Sequence, residues 1–178
     1  MRKIVFIFAI LVASTFLGAC SSDDDLISKD VIQPVSLTSG PIVEFFNAEL
    51  RRSTKSFWYE EFPDRLYGDI PNIACVVNSR QELADIYLGK KELPDIDFDK
   101  YTLIIGQQMM PGFGFYLTKK ELTLSNDGLI LTLYTRNDNE VIPDALQHLY
   151  FWDLYPKLSQ TKVSVTAITE YTNFPDLQ

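Results

Sequence analysis

The sequence predicts an α+β domain, mainly antiparallel β-sheet with one or two short helices. Three observations carry this. Runs of β-branched and aromatic residues, of strand length, recur from Ile73 to the C terminus with short Gly-, Pro- or Asn/Asp-marked links. The segment from Ser79 to Gly89 has helical spacing with its own start and stop signals. Glu121 to Tyr134 has leucine-rich runs on either side of Asn126-Asp127-Gly128, the pattern of a β-hairpin.

Gly40-Pro41 offers a helix start with proline at the first helical position. Ile42, Val43, Phe46 and Leu50 then share one helical face, with a strand as the rival reading. Phe57-Trp58-Tyr59-Glu60-Glu61-Phe62-Pro63 and Tyr67-Gly68-Asp69-Ile70-Pro71 have no clean period and read as irregular chain or short strand. Ile73 to Val77 is a continuous apolar run, as a buried strand requires. Ser79-Arg80-Gln81-Glu82 is a capping box: the Ser79 hydroxyl accepts from the Glu82 N–H, and the Glu82 carboxylate reaches back to the Ser79 N–H. Leu83, Ile86 and Tyr87 form the apolar stripe of this helix, and Gly89 suits the left-handed position that ends it.

Tyr101 to Ile105 alternates little, so it is expected to be a central strand. Gln107 to Gly114 reads as a turn or bulge, and Phe115-Tyr116-Leu117 resumes the strand. In the hairpin, an Asp127-Gly128 loop would set Leu124 opposite Leu131 and Leu122 opposite Leu133; a three-residue loop would set Leu122 opposite Thr132. The first keeps apolar against apolar and is preferred. Arg136 to Pro143 reads as a polar loop. Leu146 to Tyr155 favours strand by propensity, although Pro143 is also a possible helix start. Lys162 to Thr169 alternates Val163, Val165 and Ala167 against Ser164 and Thr166, a half-buried last strand.

Ahead of the domain, the basic head Met1-Arg2-Lys3, the apolar run Ile4 to Leu17 and a small-residue cleavage site read as a secretory signal peptide. The run is shorter than the roughly 20 residues a bilayer crossing needs. Leu17-Gly18-Ala19-Cys20 resembles the bacterial lipoprotein lipobox. That resemblance implies removal of residues 1–19 and multiple acylation of Cys20. Each buried methylene contributes about 0.8 kcal/mol, so several chains hold where one is marginal. Ser21-Ser22-Asp23-Asp24-Asp25 reads as a solvated acidic tether and is similar to the Ser-plus-acidic export signal of Bacteroidetes surface lipoproteins. Residues 20–40 are therefore expected to be a lipidated tether and linker, and residues 41–178 a single domain. Attachment is expected at the outer membrane through lipid on Cys20, with cell-surface and periplasm-facing orientations both open.

Removing Arg2 and Lys3 with the signal takes the formal net charge from −8 to −10. A surface this acidic repels phosphate backbones, which argues against nucleic acid as a partner. With Cys20 acylated, Cys75 alone remains, so no internal disulfide is possible; its apolar run suggests a buried, inert thiol.

Asp95, Asp97 and Asp99 have the spacing that opens an EF-hand. The sixth and twelfth positions, which need Gly and Glu, hold Lys100 and Gly106, so a turn before a strand is the better reading. Asn137-Asp138-Asn139-Glu140 reads as a solvated loop rather than a cation clasp. His148 is the single histidine, with no HExxH or CxxC to make a zinc set. No GxSxG, Walker or GxGxxG context exists, so no metal, cofactor or catalytic set is assigned. Paired carboxylates remain open, because their separation is a three-dimensional quantity. Trp58, Tyr59, Phe113, Phe115, Tyr116 and Trp152 are the candidate binding residues, as a stacking platform for sugars or an anchor for a protein. Trp58 and Phe113, beside charged or Gly/Pro-marked sequence, are the best surface candidates among them.

The order from Cys75 to Val165 is strand, capped helix, Leu93-Pro94-Asp95-Ile96-Asp97-Phe98, Ile-rich strand, glycine turn into Gly114-Phe115-Tyr116, hairpin, and a strand closing in Pro156-Lys157. It resembles the C-terminal domain of the PrcB family, over residues 73–168, and uncharacterised Bacteroidetes lipoproteins. Phe113 between the glycines departs from that family's Gly-Gly-Tyr, and residues 41–70 have no counterpart. The resemblance implies a small non-catalytic envelope module that assists or binds a partner. A protein is the expected partner, with a carbohydrate as the alternative.

Overall fold

The computed structural model describes residues 31–51, 53–54, 56–57, 72–139 and 147–171. They form strands β1 (Val31–Ile32), β2 (Ile73–Val77), β3 (Tyr101–Met110), β4 (Phe115–Ser125), β5 (Gly128–Asn137), β6 (Gln147–Pro156) and β7 (Val163–Tyr171), with helices α1 (Pro41–Glu49) and α2 (Arg80–Ile86). A four-stranded sheet runs β1-β4-β5-β7 and a three-stranded sheet runs β2-β3-β6. Every pairing is antiparallel except β5 with β7. The α+β, mainly antiparallel architecture expected from the sequence is the one observed.

Alternation in the three-stranded sheet explains the layering. Leu103 and Ile105 of β3, Leu154 of β6 and Val77 of β2 face the helices, where Phe45 and Phe46 of α1, its C-cap Leu50 and Leu83 of α2 cover them. Ile104, Phe151 and Tyr155 face the other way, against Leu122, Leu129, Leu131 and Leu133 of the four-stranded sheet. The described residues therefore form three layers: helices, a doubly covered sheet, and a second sheet that none of them covers on its far side. Because β3 is central and covered on both faces, it reads as a continuous apolar run.

Helix, not strand, is the state of Pro41–Glu49, with Gly40 as N-cap at φ 107°. Its buried face holds Phe45 and Glu49 as well as the expected Phe46 and Leu50. Phe46 stacks on Trp152 with ring centroids 4.6 Å apart. The buried Glu49 carboxylate accepts from Ser56 Oγ at 2.6 Å and Tyr87 Oη at 3.1 Å, and pairs with Lys91 at 2.8 Å. The Lys91 contact leads in holding this carboxyl below its ordinary range, against the effect of burial.

Several boundaries differ from expectation. The linker expected through Gly40 already belongs to the fold at Val31: β1 pairs with Leu122 and Thr123, and Val35 N–H donates to Leu154 O at 2.7 Å. This segment ties the β4 edge of one sheet to the β6 edge of the other. In α2, Ser79 Oγ accepts from Glu82 N–H at 3.1 Å as expected, but the Glu82 carboxylate accepts from Asn78 N–H at 2.5 Å, one residue earlier than predicted. Gly89 is not the left-handed terminator. The helix ends into an extended Tyr87 that bridges Phe57, and Gly89 is small because a Cβ there would strike the Tyr87 ring.

β3 continues through Gln107–Met110, where the sequence suggests a turn or bulge, because β6 pairs with it along its whole length. β5 likewise takes in Arg136 and Asn137. The hairpin loop is Asn126-Asp127, with Leu124 opposite Leu129 and Leu122 opposite Leu131. The preferred Asp127-Gly128 register also sets leucine against leucine, so the apolar pattern does not separate the two. Gly128, at φ 133°, is placed instead by the chain entering β7: Lys162 O accepts from Leu129 N–H at 3.1 Å and would lie 3.0 Å from a Cβ on residue 128.

One ion pair crosses between the sheets. Lys120 Nζ of β4 lies 2.6 Å from Asp153 Oδ2 of β6 and donates to Trp152 O at 3.0 Å. The Tyr155 hydroxyl donates to the same carboxylate, and burial pushes the Asp153 carboxyl above its ordinary range. Lys120→Met leaves that carboxylate buried without its cation and should cost about 1–3 kcal/mol in urea unfolding. A carboxyl raised in the folded state loses stability as pH rises through its folded pKa, so the deficit should grow from acid toward neutral pH. Lys120→Met with Asp153→Asn should regain most of the loss, because the amide still accepts from Tyr155 and no charge is stranded.

Candidate functional site

The sequence-nominated aromatics do not assemble into one platform. Trp58, Tyr59 and the lipidation residue Cys20 lie outside the described residues. Trp152 is half-buried in the layer beneath α1, stacked on Phe46. Phe115 is 3 % exposed, packed with Met110 and Leu149. Both rings pack against core layers. Phe113 and Tyr116 stand out at 48 % and 43 % exposure.

A β-bulge separates the fates of Phe115 and Tyr116. Between Leu117 and Lys119 the pairing with β5 shifts, so that Thr118 is the extra residue. Before the bulge the odd-numbered Phe115 and Leu117 face inward; after it the even-numbered Lys120 and Leu122 do. The shift turns Tyr116 and Lys119 out to the open face of the four-stranded sheet. Thr118 Oγ1 donates to Tyr134 O at 3.1 Å across the bulge.

On that face β5 presents Thr132, Tyr134 and Arg136, and β7 presents Thr166, Ile168 and Glu170 directly alongside. Two similar clusters result. Tyr116 donates to Asp138 Oδ2 at 2.6 Å while Arg136 Nε donates to Asp138 Oδ1 at 2.7 Å. Tyr134 donates to Glu121 Oε2 at 2.6 Å, and Lys119 pairs with Glu121 while its ammonium sits 5.3 Å from the Tyr134 ring centroid. Each phenol is held above its ordinary pKa, first by its hydrogen bond to the carboxylate. The Lys119 contact holds Glu121 below its ordinary range. Each tyrosine ring is fixed at both ends, by backbone and by hydroxyl.

Beside the bulge, Thr118, Tyr134, Thr135, Ile168, Thr169 and Glu170 line a shallow depression of about 390 Å³. Ile168 is 49 % exposed there. Glu121 and Asp138 are already in ion pairs, whereas Glu170 is in none among the described residues. The signal for these residues is present in the sequence as alternation: positions between the inward Leu129, Leu131 and Leu133 must face out.

The turn from Pro111 to Gly114 is fixed from two sides. Asn137 and Asn139 each donate through Nδ2 to Phe113 O, at 3.0 and 3.1 Å, and Gln147 bonds both N–H and O of Phe115. Gly114, at φ 89°, leaves the space that the Asn139 amide fills. The Asn137 to Asn139 stretch thus anchors this turn. Asp97 is engaged by Lys100 at 2.6 Å in the turn before β3. His148 lies on β6 opposite Met109, and Cys75 is half-buried against the helix-side core. Among the described residues no group of three His, Cys, Asp or Glu is placed to hold a metal ion, and no helix is long and apolar enough to cross a membrane.

Asp138→Asn removes the anion that keeps the Tyr116 phenol protonated. Tyr116 should then titrate at lower pH than in the parent, in NMR titration of its ring signals; an unchanged midpoint would show that the contact does not persist in solution. No family model, curated protein or solved structure matches this chain.

Proposed function

We propose that this chain is an envelope lipoprotein, attached to the outer membrane through lipid on Cys20, whose domain is a non-catalytic binding module. The carrying observation is the open face of the four-stranded sheet. Its charged side chains are largely neutralised by neighbours, and its two tyrosines are locked through their hydroxyls. Such a surface is preorganised for recognition, since few rotamers remain to be frozen on contact. Two of the carboxylates on this face, Glu121 and Asp138, are engaged in structural contacts, which leaves Glu170 for contact with a ligand. The reading is the one that the resemblance to the PrcB C-terminal domain, which rests on the sequence motifs, would imply.

Geometry bears on the choice of partner. A protein, the first expectation, is usually met by a contiguous apolar patch. The exposed large apolar side chains among the described residues are distributed over β1 (Val31), the chain before α1 (Leu37), the chain after α2 (Leu88), the β3–β4 turn (Phe113), the open sheet face (Tyr116 and Ile168) and the hairpin end of β4 (Leu124). The depression beside the bulge, with Ile168 and Tyr134 for apolar contact and Thr118 and Glu170 at its edge, supports the alternative, a carbohydrate.

Two measurements test the module and its anchor. The native protein should partition into the detergent phase with a lipidated Cys20 as its first residue by mass spectrometry, and Cys20→Ser should move to the aqueous phase. A photo-crosslinking side chain at Thr166, on the open face, should capture envelope material that the same group at Gln81, on α2, does not. Water-soluble native protein with an unmodified amino terminus overturns the anchor; equal capture from both positions overturns the working face.

A further inference from the structure

Resting on the open sheet face as the working surface, we propose that the depression beside the Thr118 bulge is a subsite for a pyranose ring of a neutral polysaccharide. A pyranose combines an apolar C–H face with a rim of hydroxyls that both donate and accept. The depression has the matching parts. Ile168 and the hydroxyl-fixed Tyr134 ring give apolar contact, while Glu170 and Thr118 give polar contact at its edge. A carboxylate outside any ion pair accepts from two neighbouring hydroxyls at once, and Glu170 is the acidic side chain on this face that is in none among the described residues. Its position opposite Arg136 in the β5–β7 ladder adds a fixed donor next to that acceptor.

Charge selects the class of sugar. The cations of this face, Lys119 and Arg136, are each neutralised by a carboxylate, and the chain as a whole has net charge −8. An acidic polysaccharide would be repelled, and a nucleic acid still more so. A neutral glycan meets no such cost. The volume, about 390 Å³, falls within the roughly 300–1,000 Å³ typical of small-ligand sites. Its openness onto a flat sheet lets a polymer run past in both directions. The row of Thr132, Ser164 and Thr166 along the same face continues the hydroxyl surface beyond the depression.

The test uses the full mature chain in affinity electrophoresis against four neutral polysaccharides: a starch-type α-glucan, a β-glucan, a xylan and a mannan. At least one should retard the parent protein. Glu170→Gln should weaken that interaction by about tenfold, and Ile168→Lys should abolish it. Both positions are exposed, so thermal unfolding of the variants should match the parent. Retardation by none of the four overturns the carbohydrate assignment; if Thr166 still crosslinks to a protein, the working face stands with a protein as its occupant. Retardation that neither variant changes overturns this subsite, and the Thr166 crosslink then decides separately whether the open face is the working surface.

Discussion

Burial of the three-stranded sheet on both faces is the constraint from which the rest follows. Leu103, Ile104 and Ile105 are successive residues of β3, and none is more than 1 % exposed. A strand that alternates between two apolar environments needs a cover on each side. The helices with the chain from Leu93 to Phe98 supply one, and the leucines of β4 and β5 supply the other. Fully burying such side chains contributes about 1.5–3 kcal/mol each, far more than an exposed ion pair. The two carboxylates that enter these layers have partners: Glu49 with Ser56, Tyr87 and Lys91, and Asp153 with Lys120 and Tyr155.

The second sheet, covering the first, leaves its own far side open. Its inner face is led by Leu122, Leu129, Leu131 and Leu133, while its outer face carries Tyr, Thr, Arg and Lys with carboxylates between them. The bulge at Thr118 joins the two roles. Without that extra residue, one strand phase would run through all of β4, and Tyr116 would point into the leucine layer while Phe115 pointed to solvent. The same shift opens the gap in which Thr118, Tyr134 and Ile168 meet. Fold and candidate site thus share one irregularity, as bulges at functional positions commonly do.

Much of the fold was legible because its signals are local. The Ser79 cap, the Leu83-Ile86-Tyr87 stripe, the unbroken apolar run of β3 and the alternation of β7 each state their own periodicity within a few residues. The errors fall where distant chain decides. Gln107 to Met110 lacks a strand pattern of its own and is held as strand by β6. The hairpin slips by two residues relative to the favoured Asp-Gly turn, a change that keeps every side chain on its own face and so leaves no trace in the pattern. Val31 to Val35 reads as polar linker, yet its backbone groups find partners on two sheet edges.

The candidate site was legible only in part for the same reason. Aromatic content marked Phe115 and Trp152 along with Tyr116, but an aromatic ring suits a core and a binding face equally well. What separates them is whether a helix or a sheet arrives to cover the ring. By itself, the sequence determined the state of the segments with a local signal, among them α2, residues 101–105 of β3, and β7, and which of their side chains share a face, because dihedral preference and side-chain period act over neighbouring residues. Tertiary structure decided which face is covered, where the strand phase breaks and which hydroxyls meet which carboxylates, because those contacts join residues far apart in the chain.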